Sequence, residues 1–528
     1  MSEKIDVYLH GCVSAAHPLA VEAGIHCLRR GGNAVDAAVT TAFALQVLLP
    51  AFSGAGGGGC ALLWQEKDEK STFLNYRETA PLKATSTMYS ALDDGNVPDK
   101  SNSVGYKAVA VPGALAGESL LLSKFGTISL KETMSPAIRY AENGFEVSNA
   151  LNDVMTRSAE KLNRFSSSAE IFLRDSAPYR IGERMTLRDL ARSLRHVADE
   201  GIDVFYRGEI GEAILKDVAK NGGLLTKKDL FSYKPIVTRP LHSKYRGYDL
   251  YTSPPPFGGI ALLEILHVLE QFDISRIGHN TAEALRLLSG AMTWAYQDKM
   301  RYLGDPCFTK VPAKALLSRK HAKSISEKIP SRTEQADEPN PPQGDSTTHL
   351  TVVDSQGNVV AMTETIECYF GSGVTVPETG ILLNDEMHDF DPRPRRANSV
   401  KAGKQPASNM SPTMVFKRGE FVLGLGSPGG SRIVSAVTQA TSNILDHGMS
   451  LSAAVAAPRI HYENGTIHLE GRIPRDVTEK LASAGKKINS RKDFDIYFGG
   501  VHAVARAPSK EGLCGAADPR RDGVAKGF

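Results

Sequence analysis

The chain has 528 residues, of which 41% are hydrophobic and 23% are charged, the balance of an ordinary folded protein with a large core. Its 62 lysines and arginines nearly match its 59 aspartates and glutamates, which leaves a net charge of +3. A charge so close to zero argues against binding to nucleic acid or to an anionic membrane surface.

The N-terminal stretch MSEKIDVYLHGC has no apolar segment and no small-residue cleavage site of the kind found in signal peptides. No apolar run is long enough to predict a membrane span. The six cysteines are scattered without a C-x-x-C pair, which is typical of reduced thiols. These features predict a cytoplasmic location. Because motifs such as H-E-x-x-H are absent, the sequence predicts neither a metal site nor a cofactor.

Residues 17–50 predict two helices, separated by a glycine pair that ends the first and by Asn33, which caps the second. The second helix is apolar on most sides, so we expect it to be buried. Two strands follow at 60–65 and 71–78, joined by the charged turn EKDEK. The run GAGGGG before them lacks the glycine register of a dinucleotide-binding loop.

From residue 105 to 300 the apolar periodicity predicts mainly helices. Residues 328–346 are rich in proline and charge and form the most linker-like stretch of the chain. Beyond this stretch, two strand–turn–strand units and a helix are predicted, the first of them flanking the turn SQGN. The alternation predicts helices packed on antiparallel sheets, in a mixed α/β or α+β arrangement.

Thr347 stands where the linker meets the first of these strands, and its position has two interpretations. Thr347 and Thr348 are ordinary β-forming residues at the mouth of a hairpin. Alternatively, cleavage of the bond after Ser346 frees the Thr347 amine, which then serves as the base for its own hydroxyl. A free α-amine has a pKa near ~8, so a useful fraction is neutral at pH 7. Such a nucleophile needs no histidine, and we expect His349 and His388 to be structural.

Three other groups of residues are of types that stabilise or bind a charged substrate group. GLGSPGGSR at 424–432 ends a strand and begins a helix, so Gly429 and Gly430 either form a tight turn or present two N–H groups to an oxyanion. Arg77 follows a strand and suits a carboxylate. Glu386 and Asp389, three residues apart, suit an ammonium group or belong to a surface cluster.

Taken together, these stretches resemble the γ-glutamyltransferases (γ-glutamyltranspeptidases) of the N-terminal-nucleophile hydrolase superfamily. The resemblance runs nearly end to end and is carried by a dozen motifs in order. They include SAAHPLAVEAGIHCLRRGGNAVDAA, SGAGGGG, YRETAP, AVAVPGALAG, PPPFGGIALLEIL, DKMRYLGDP, STTHLTVVDSQGNVVAMTETI, FGSGVTVPETGILLNDEMHDFD, MSPTMV, GSPGGSRI and GAADPRRDGVAKG.

The resemblance implies an α+β fold, a four-layer αββα sandwich made as one precursor chain. It implies self-cleavage between Ser346 and Thr347, which leaves a large fragment, 1–346, bound to a small catalytic fragment, 347–528, in one domain. Thr347 then attacks the γ-amide of a glutathione-like donor and passes the γ-glutamyl group to water or to an amino acid or peptide amine. The implied partners are therefore small molecules and the two fragments of the same chain, without nucleic acid or membrane.

Matching positions assign individual roles within this resemblance. Thr365 orients the nucleophile Thr347, and Gly429 and Gly430 form the oxyanion hole. Arg77 holds the α-carboxylate of the donor.

The remaining matches concern the donor, and two of them depart from the family pattern. Glu386 and Asp389 match residues that bind the α-amino group, and Ser408 matches one of two adjacent serines beside the α-carboxylate. The second serine is Asn409 here, which still offers a hydrogen-bond donor. Glu367 stands where an asparagine is usual, and it repels the α-carboxylate or attracts the ammonium, depending on which it faces.

These departures, with the short loop between Phe390 and Ser408, predict an open and altered pocket. The first alternative is therefore an amidohydrolase or acylase on the same scaffold that takes another acyl group, such as oxamate, a glutaryl amide or poly-γ-glutamate. The second alternative is an unprocessed, non-catalytic binding scaffold.

Overall fold

The structure is a computed structural model that describes residues 6–329, 344, 346–508 and 511–528. The predicted linker, 328–346, lies mostly outside the described residues, so its extent stays a prediction. The helices are α1 Pro18–Arg29, α2 Ala34–Leu48, α3 Ala114–Phe125, α4 Leu130–Asn143, α5 Asn149–Leu162, α6 Ser166–Phe172, α7 Arg188–Glu200, α8 Asp203–Tyr206, α9 Glu209–Lys220, α10 Lys227–Ser232, α11 Gly259–Leu269, α12 Ile274–Ile277, α13 Ala282–Tyr302, α14 Ala313–Leu316, α15 Arg319–Lys328, α16 Arg432–Leu445, α17 Leu451–Ala456 and α18 Arg475–Ser483.

The strands alternate with these helices along the chain. They are β1 Gly11–Ala15, β2 Gly58–Gln65, β3 Lys70–Tyr76, β4 Phe145–Glu146, β5 Leu173–Arg174, β6 Ala177–Pro178, β7 Arg184–Met185, β8 Ile236–Thr238, β9 Leu241–Tyr245, β10 Tyr248–Thr252, β11 Thr348–Asp354, β12 Val359–Thr365, β13 Thr413–Lys417, β14 Glu420–Gly426, β15 Ile460–Glu463, β16 Thr466–Leu469, β17 Lys487–Ser490, β18 His502–Arg506, β19 Leu513–Ala517 and β20 Val524–Gly527.

Two antiparallel sheets form the centre of the molecule. One has the strand order β20-β1-β11-β12-β2-β3-β8 and the other β19-β18-β14-β13-β10-β9. Along β11, Leu350 and Val352 pack into a core shared with α1 and α2, whereas Val353 packs into a core shared with β14 and the helices α11, α13 and α16. Because successive side chains of a strand point to opposite faces, each sheet lies between its partner sheet and a helical layer. The predicted four-layer αββα fold is confirmed.

The second helix shows why the first core forms where it does. Every residue of α2 is buried, as its apolar character predicted, and Asn33 caps its N-terminus by accepting hydrogen bonds from Val35 and Asp36 N–H groups. Asp36 completes the capping box. Because α2 is buried on all sides, it anchors the helical layer behind β11 and β12. These two strands form the hairpin that the sequence predicted around SQGN.

The prediction that residues 105–300 are mainly helical is confirmed. The sequence did not predict the short strands within them, among which β9–β10 is a hairpin closed by Arg246 and Gly247, both with positive φ. β9 is an edge strand with alternating partial exposure, so its apolar periodicity is weak. Within the described part of the chain, none of the helices combines the length and the apolar character needed to cross a bilayer.

Candidate active site

Thr347 lies at the entrance to β11, where the central sheet holds it against β12. Thr347 is 3% exposed, and its Oγ1 donates a hydrogen bond to Thr365 Oγ1 at 3.1 Å. The register that pairs Thr348 with Glu364 brings the neighbouring Thr365 beside Thr347. Thr365 Oγ1 also accepts the N–H of Glu367 at 2.9 Å, so its position is fixed from two sides. We call Thr347 and Thr365 the hydroxyl end of the site.

The backbone at Thr347 is strained. Its φ is 122°, in a region that β-branched residues avoid because the side chain collides with the chain around it. The preceding residue is held firmly, since the Ser346 N–H donates to Glu367 O at 3.0 Å and its hydroxyl donates to Ala51 O at 2.9 Å. The strained residue therefore directly follows the Ser346–Thr347 peptide bond, and its own hydroxyl lies beside that bond.

Gly429 and Gly430 lie between β14 and α16, with φ values of 125° and 55°. A Cβ on Gly430 would lie 1.8 Å from the carbonyl oxygen of Gly344, so only glycine permits this approach. In the described part of the chain neither glycine N–H donates a hydrogen bond, and both precede the N-terminus of a helix. Free N–H groups at a helix N-terminus stabilise negative charge.

The glycine run before β2 also has a packing explanation. A Cβ on Gly57 would lie 2.2 Å from Thr365 O, and one on Gly59 would lie 2.4 Å from Thr363 O. The run lets β2 approach the strand that carries Thr365, and this explains its composition without a dinucleotide.

A dense group of charges lies next to the hydroxyl end. Arg77, which is fully buried, pairs with Glu386 at 2.5 Å, with Asp389, and with Glu78 at 3.7 Å. We call these four residues the charged end. Glu367 connects the two ends, because its carboxylate lies within 4.8 Å of those of Glu386 and Asp389 while its N–H bonds to the hydroxyl end.

Burial dominates the protonation of the charged end. It raises the pKa of Glu78 and of Asp389 to about 7, and it raises the pKa of Glu386 well above its usual range, although Arg77 opposes each shift. One guanidinium thus faces more carboxylates than it neutralises. A positively charged group is the ligand that this surplus favours.

A model of the Gamma-glutamyltranspeptidase family matches residues 20–528. The chain belongs to this family. The glutathione hydrolase proenzyme of Escherichia coli (strain K12) is 39% identical over 531 residues, which cover 97% of this chain and 90% of that protein. The acylase ACY 1 proenzyme of Pseudomonas sp. (strain SE83) is 39% identical over 97% of this chain and 93% of its own length.

Among solved structures, a cephalosporin acylase from Bacillus halodurans superposes with a TM-score of 0.92 at 30% identity, covering all of this chain and 97% of that one. The family resemblance inferred from the sequence motifs is therefore confirmed. Within this gamma-glutamyltranspeptidase family, similar scaffolds bear both glutathione hydrolase and acylase names.

Ser408 and Asn409 directly follow Ala407, the residue of this segment that Arg77 contacts. Ser408 N–H donates to Pro256 O at 2.9 Å, and Ser408 Oγ accepts the N–H of Met410 at 3.2 Å. Arg77 donates to Ala407 O at 3.4 Å, which brings the guanidinium to the residue before Ser408. The structure thus gathers the residues that the sequence predicted for this part of the gamma-glutamyltranspeptidase site.

Sequence reasoning missed Lys299. Its Nζ, reaching from α13, donates a hydrogen bond to Asn409 Oδ1. Burial lowers the pKa of Lys299 to about 8, while Asp389 and Glu367 oppose the shift. The signal was the family motif DKMRYLGDP, but on an amphipathic helix this lysine reads as a surface residue.

The two histidines occupy different surroundings. His349 lies between the sheets, where its ring bonds to Thr363 Oγ1 at 2.8 Å and to Thr351 Oγ1 at 3.1 Å, as a structural residue does. His388 lies 3.5 Å from Glu367 Oε1 and faces Cys368. Burial lowers the pKa of His388, but the hydrogen bond and the charge of Glu367 outweigh it, so the net direction is upward.

A cavity of about 560 Å³ lies beside Gly344, three residues before Thr347. Cys368 and His388 also line it, together with exposed residues such as Lys100 and Arg157. The Gly344 N–H donates to Glu367 Oε1 at 2.6 Å, so the chain just before Thr347 contacts both the cavity and the residue that joins the two ends.

Proposed function

We propose that this chain is a self-processing γ-glutamyl hydrolase and transferase that acts on glutathione-like donors. One observation carries the proposal: the Thr347 hydroxyl lies 3.1 Å from Thr365 Oγ1, at a strained backbone directly after a buried serine. The family membership and the glutathione hydrolase names of its relatives support the same reaction.

Maturation begins with the Thr347 hydroxyl. Its oxygen attacks the carbonyl carbon of Ser346 and the peptide C–N bond breaks. The nitrogen keeps its own hydrogen and takes the proton that the hydroxyl loses, and so becomes the α-amine. Water then hydrolyses the ester, which leaves a carboxylate on Ser346 and restores the hydroxyl of Thr347. Relief of the strained φ at Thr347 favours this sequence.

The two products stay together because the central sheet contains strands from both. β1 and β2 come from the proposed large fragment, 1–346, and they pair with β11 and β12 of the proposed small fragment, 347–528. Separation would expose two ladders of backbone hydrogen bonds and the core behind them, so cleavage leaves one domain.

Catalysis then uses the new terminus. The Thr347 α-amine takes the proton of its own hydroxyl, and the oxygen attacks the γ-carbonyl of the donor. The N–H groups of Gly429 and Gly430 stabilise the oxyanion. The departing amine takes the proton, and water or an acceptor amine then releases the γ-glutamyl group from Thr347 by the same steps in reverse.

The charged end recognises the two charged groups on the α-carbon of the donor, its ammonium and its carboxylate. Glu386 and Asp389 bind its ammonium, and Glu367 adds a third carboxylate on the same side. Arg77, Ser408 and Asn409 bind the α-carboxylate, where Lys299 contributes a second positive charge. In this arrangement Glu367 faces the ammonium, which is one of the two roles that its charge allows.

Acylases similar to this chain favour a second candidate, an enzyme that takes a glutaryl amide or another acyl group. A glutaryl group carries a terminal carboxylate but no ammonium. The surplus of buried carboxylates around Arg77 opposes such a donor, which ranks this candidate second.

The test compares two donors that differ only in the ammonium. Matured protein is incubated with γ-glutamyl p-nitroanilide and with glutaryl p-nitroanilide, each with and without glycylglycine as acceptor. We expect faster release of p-nitroaniline from the γ-glutamyl compound and a covalent γ-glutamyl adduct on the fragment beginning at Thr347. Preference for the glutaryl compound would favour the acylase, and an uncut chain without turnover of either would favour a binding scaffold.

A further inference from the structure

Away from the hydroxyl end and the charged end, three helices converge on a second group of ionisable side chains. Glu264 of α11, Asp298 of α13 and His321 of α15 each offer one ligand atom, and these atoms all lie within 4.8 Å of one another. His321 Nε2 lies 3.2 Å from Glu264 Oε1 and 2.9 Å from Asp298 Oδ2. The residues are 57 and 23 positions apart in sequence, so spacing motifs do not reveal them.

The charges within this group do not balance. The Glu264 side chain is 1% exposed, and its Oε2 is buried without a hydrogen-bond partner among the described residues. Over the same residues neither carboxylate forms an ion pair with a lysine or an arginine, and the single Nε2 of His321 faces both carboxylates. Two ionised carboxylates with one imidazolium would leave a net negative charge in a largely buried site, which is unfavourable.

Burial raises the pKa of Glu264 to about 8, with the His321 hydrogen bond opposing the shift. The side chains of Asp298 and His321 are 16% and 29% exposed, so a small ion reaches the group from solvent.

We propose that Glu264, Asp298 and His321 bind a divalent transition-metal ion of the Zn²⁺ type. Zinc takes nitrogen and carboxylate ligands at about 2.0–2.2 Å in tetrahedral geometry, which places neighbouring ligand atoms about 3.3 Å apart. The separations of 3.2 and 2.9 Å from His321 Nε2 to Glu264 Oε1 and to Asp298 Oδ2 are close to that edge. A doubly charged ion with neutral imidazole neutralises both carboxylates, that of the buried Glu264 included, and leaves a fourth position for water.

The consequence is structural. The ion fastens α15, which ends at Lys328, to α11 and α13. The sequence prediction of no metal rested on motif spacing, and this site lies outside the reach of that argument. It is also independent of the proposed γ-glutamyl chemistry, because none of its ligands belongs to the hydroxyl end or the charged end.

The experiment measures Zn²⁺ binding to the matured enzyme after treatment with EDTA, by titration calorimetry and by metal content after desalting. We expect one tightly bound equivalent and a higher melting temperature with zinc. Glu264→Gln and His321→Asn should each weaken binding by at least about tenfold. His242→Asn is the matched control, since His242 Nε2 lies 2.8 Å from a single carboxylate, that of Asp249, and it should bind zinc as the parent does.

Glu264→Gln is isosteric and replaces a group whose pKa is already raised, so we expect it to fold. Cys368→Ser tests the competing group in which Glu367, Cys368 and His388 also offer three ligand atoms. Absence of a tight equivalent in the parent, unchanged binding in both ligand variants, or loss of zinc in Cys368→Ser alone would each overturn the proposal.

Discussion

The hydroxyl end and the charged end lie side by side but are held together by different interactions. At the hydroxyl end, neutral groups on paired strands hold each other, and the backbone at Thr347 is strained. At the charged end, one buried guanidinium faces three carboxylates on segments between strands. The two ends are therefore built separately: sheet pairing positions the proposed nucleophile, while a balance of buried charges forms the proposed donor site.

The largest effect is expected from the hydroxyl end. Thr347→Ala removes the proposed nucleophile, so the chain should stay uncut and release no p-nitroaniline. The matched control is Thr348→Val. The Thr348 hydroxyl is buried without a hydrogen-bond partner in the described part of the chain, so valine keeps its shape and should permit cleavage. N-terminal sequencing and intact-mass measurement report the cut, and cleavage of Thr347→Ala at the usual bond would refute the assignment.

At the charged end, Asp389→Asn should change donor choice while leaving cleavage intact. Losing a charge-assisted hydrogen bond costs about 1.5–3 kcal/mol, so KM for γ-glutamyl p-nitroanilide should rise about ten- to a hundredfold. KM for glutaryl p-nitroanilide should stay level or fall, because Arg77 loses a competing carboxylate. Asp391→Asn, which breaks a pair with Arg393 instead, is the matched control. Equal losses with both donors would indicate a general packing defect.

A smaller effect should separate Lys299 from Arg77. The pKa of Lys299 is lowered to about 8, so its ammonium is charged below that pH and neutral above it. KM for γ-glutamyl p-nitroanilide should therefore rise as pH increases through 8. Lys299→Arg should flatten that rise, since guanidinium stays charged, and Lys299→Met should keep KM about tenfold high at every pH.

Two comparisons make the Lys299 prediction specific. A 4-aminobutyryl anilide has the ammonium but lacks the α-carboxylate, so its KM should be insensitive to Lys299→Met. Arg301→Met, an exposed change on the same helix, should affect neither donor. A loss of the same size with the 4-aminobutyryl compound would mean that Lys299 only holds Asn409 in place.

The smallest effect concerns the support of the hydroxyl end. Gln46 Nε2 donates to Glu118 Oε1 at 2.7 Å and to Glu364 Oε2 at 3.2 Å, next to Thr365. Burial raises the pKa of Glu118 well above 4.5 and that of Glu364 to about 7. The carboxyl groups of Glu118 and Glu364 therefore retain their protons to a higher pH than usual. The carboxylates of the charged end, in contrast, have the guanidinium of Arg77 as a positively charged partner. Glu118→Gln should therefore fold with a stability within about 1 kcal/mol of the parent.

The pH dependence of this variant follows from the raised pKa of Glu118. The folded chain keeps this proton at pH values where the unfolded chain has lost it, so the contribution of Glu118 to stability falls as pH rises above about 4.5. Glutamine does not titrate. Calorimetric melting at pH 5 and pH 8 should show that the melting temperature of Glu118→Gln, relative to that of the parent, is higher at pH 8 than at pH 5. If the difference in melting temperature is the same at both pH values, Glu118 is ionised in the folded chain.

Much of the hydroxyl end was predictable because it is local. A proline-rich stretch, a threonine and a hairpin around SQGN are consecutive in sequence, and β pairing then brings Thr365 opposite Thr347. The hairpin β9–β10 was missed because partial exposure weakens the alternation on which strand prediction depends.

The sequence by itself determined helices packed on antiparallel sheets, because periodicity, caps and turns are written along the chain. Its motif order indicated the family, and that resemblance implied the αββα layers and the residues at both ends. Only the tertiary structure decided that Lys299 reaches Asn409, that Glu364 meets Gln46, and that Glu264 shares a site with His321. Those pairs lie 110, 318 and 57 residues apart. Contacts at such separations follow from how whole layers pack, and no local pattern records them.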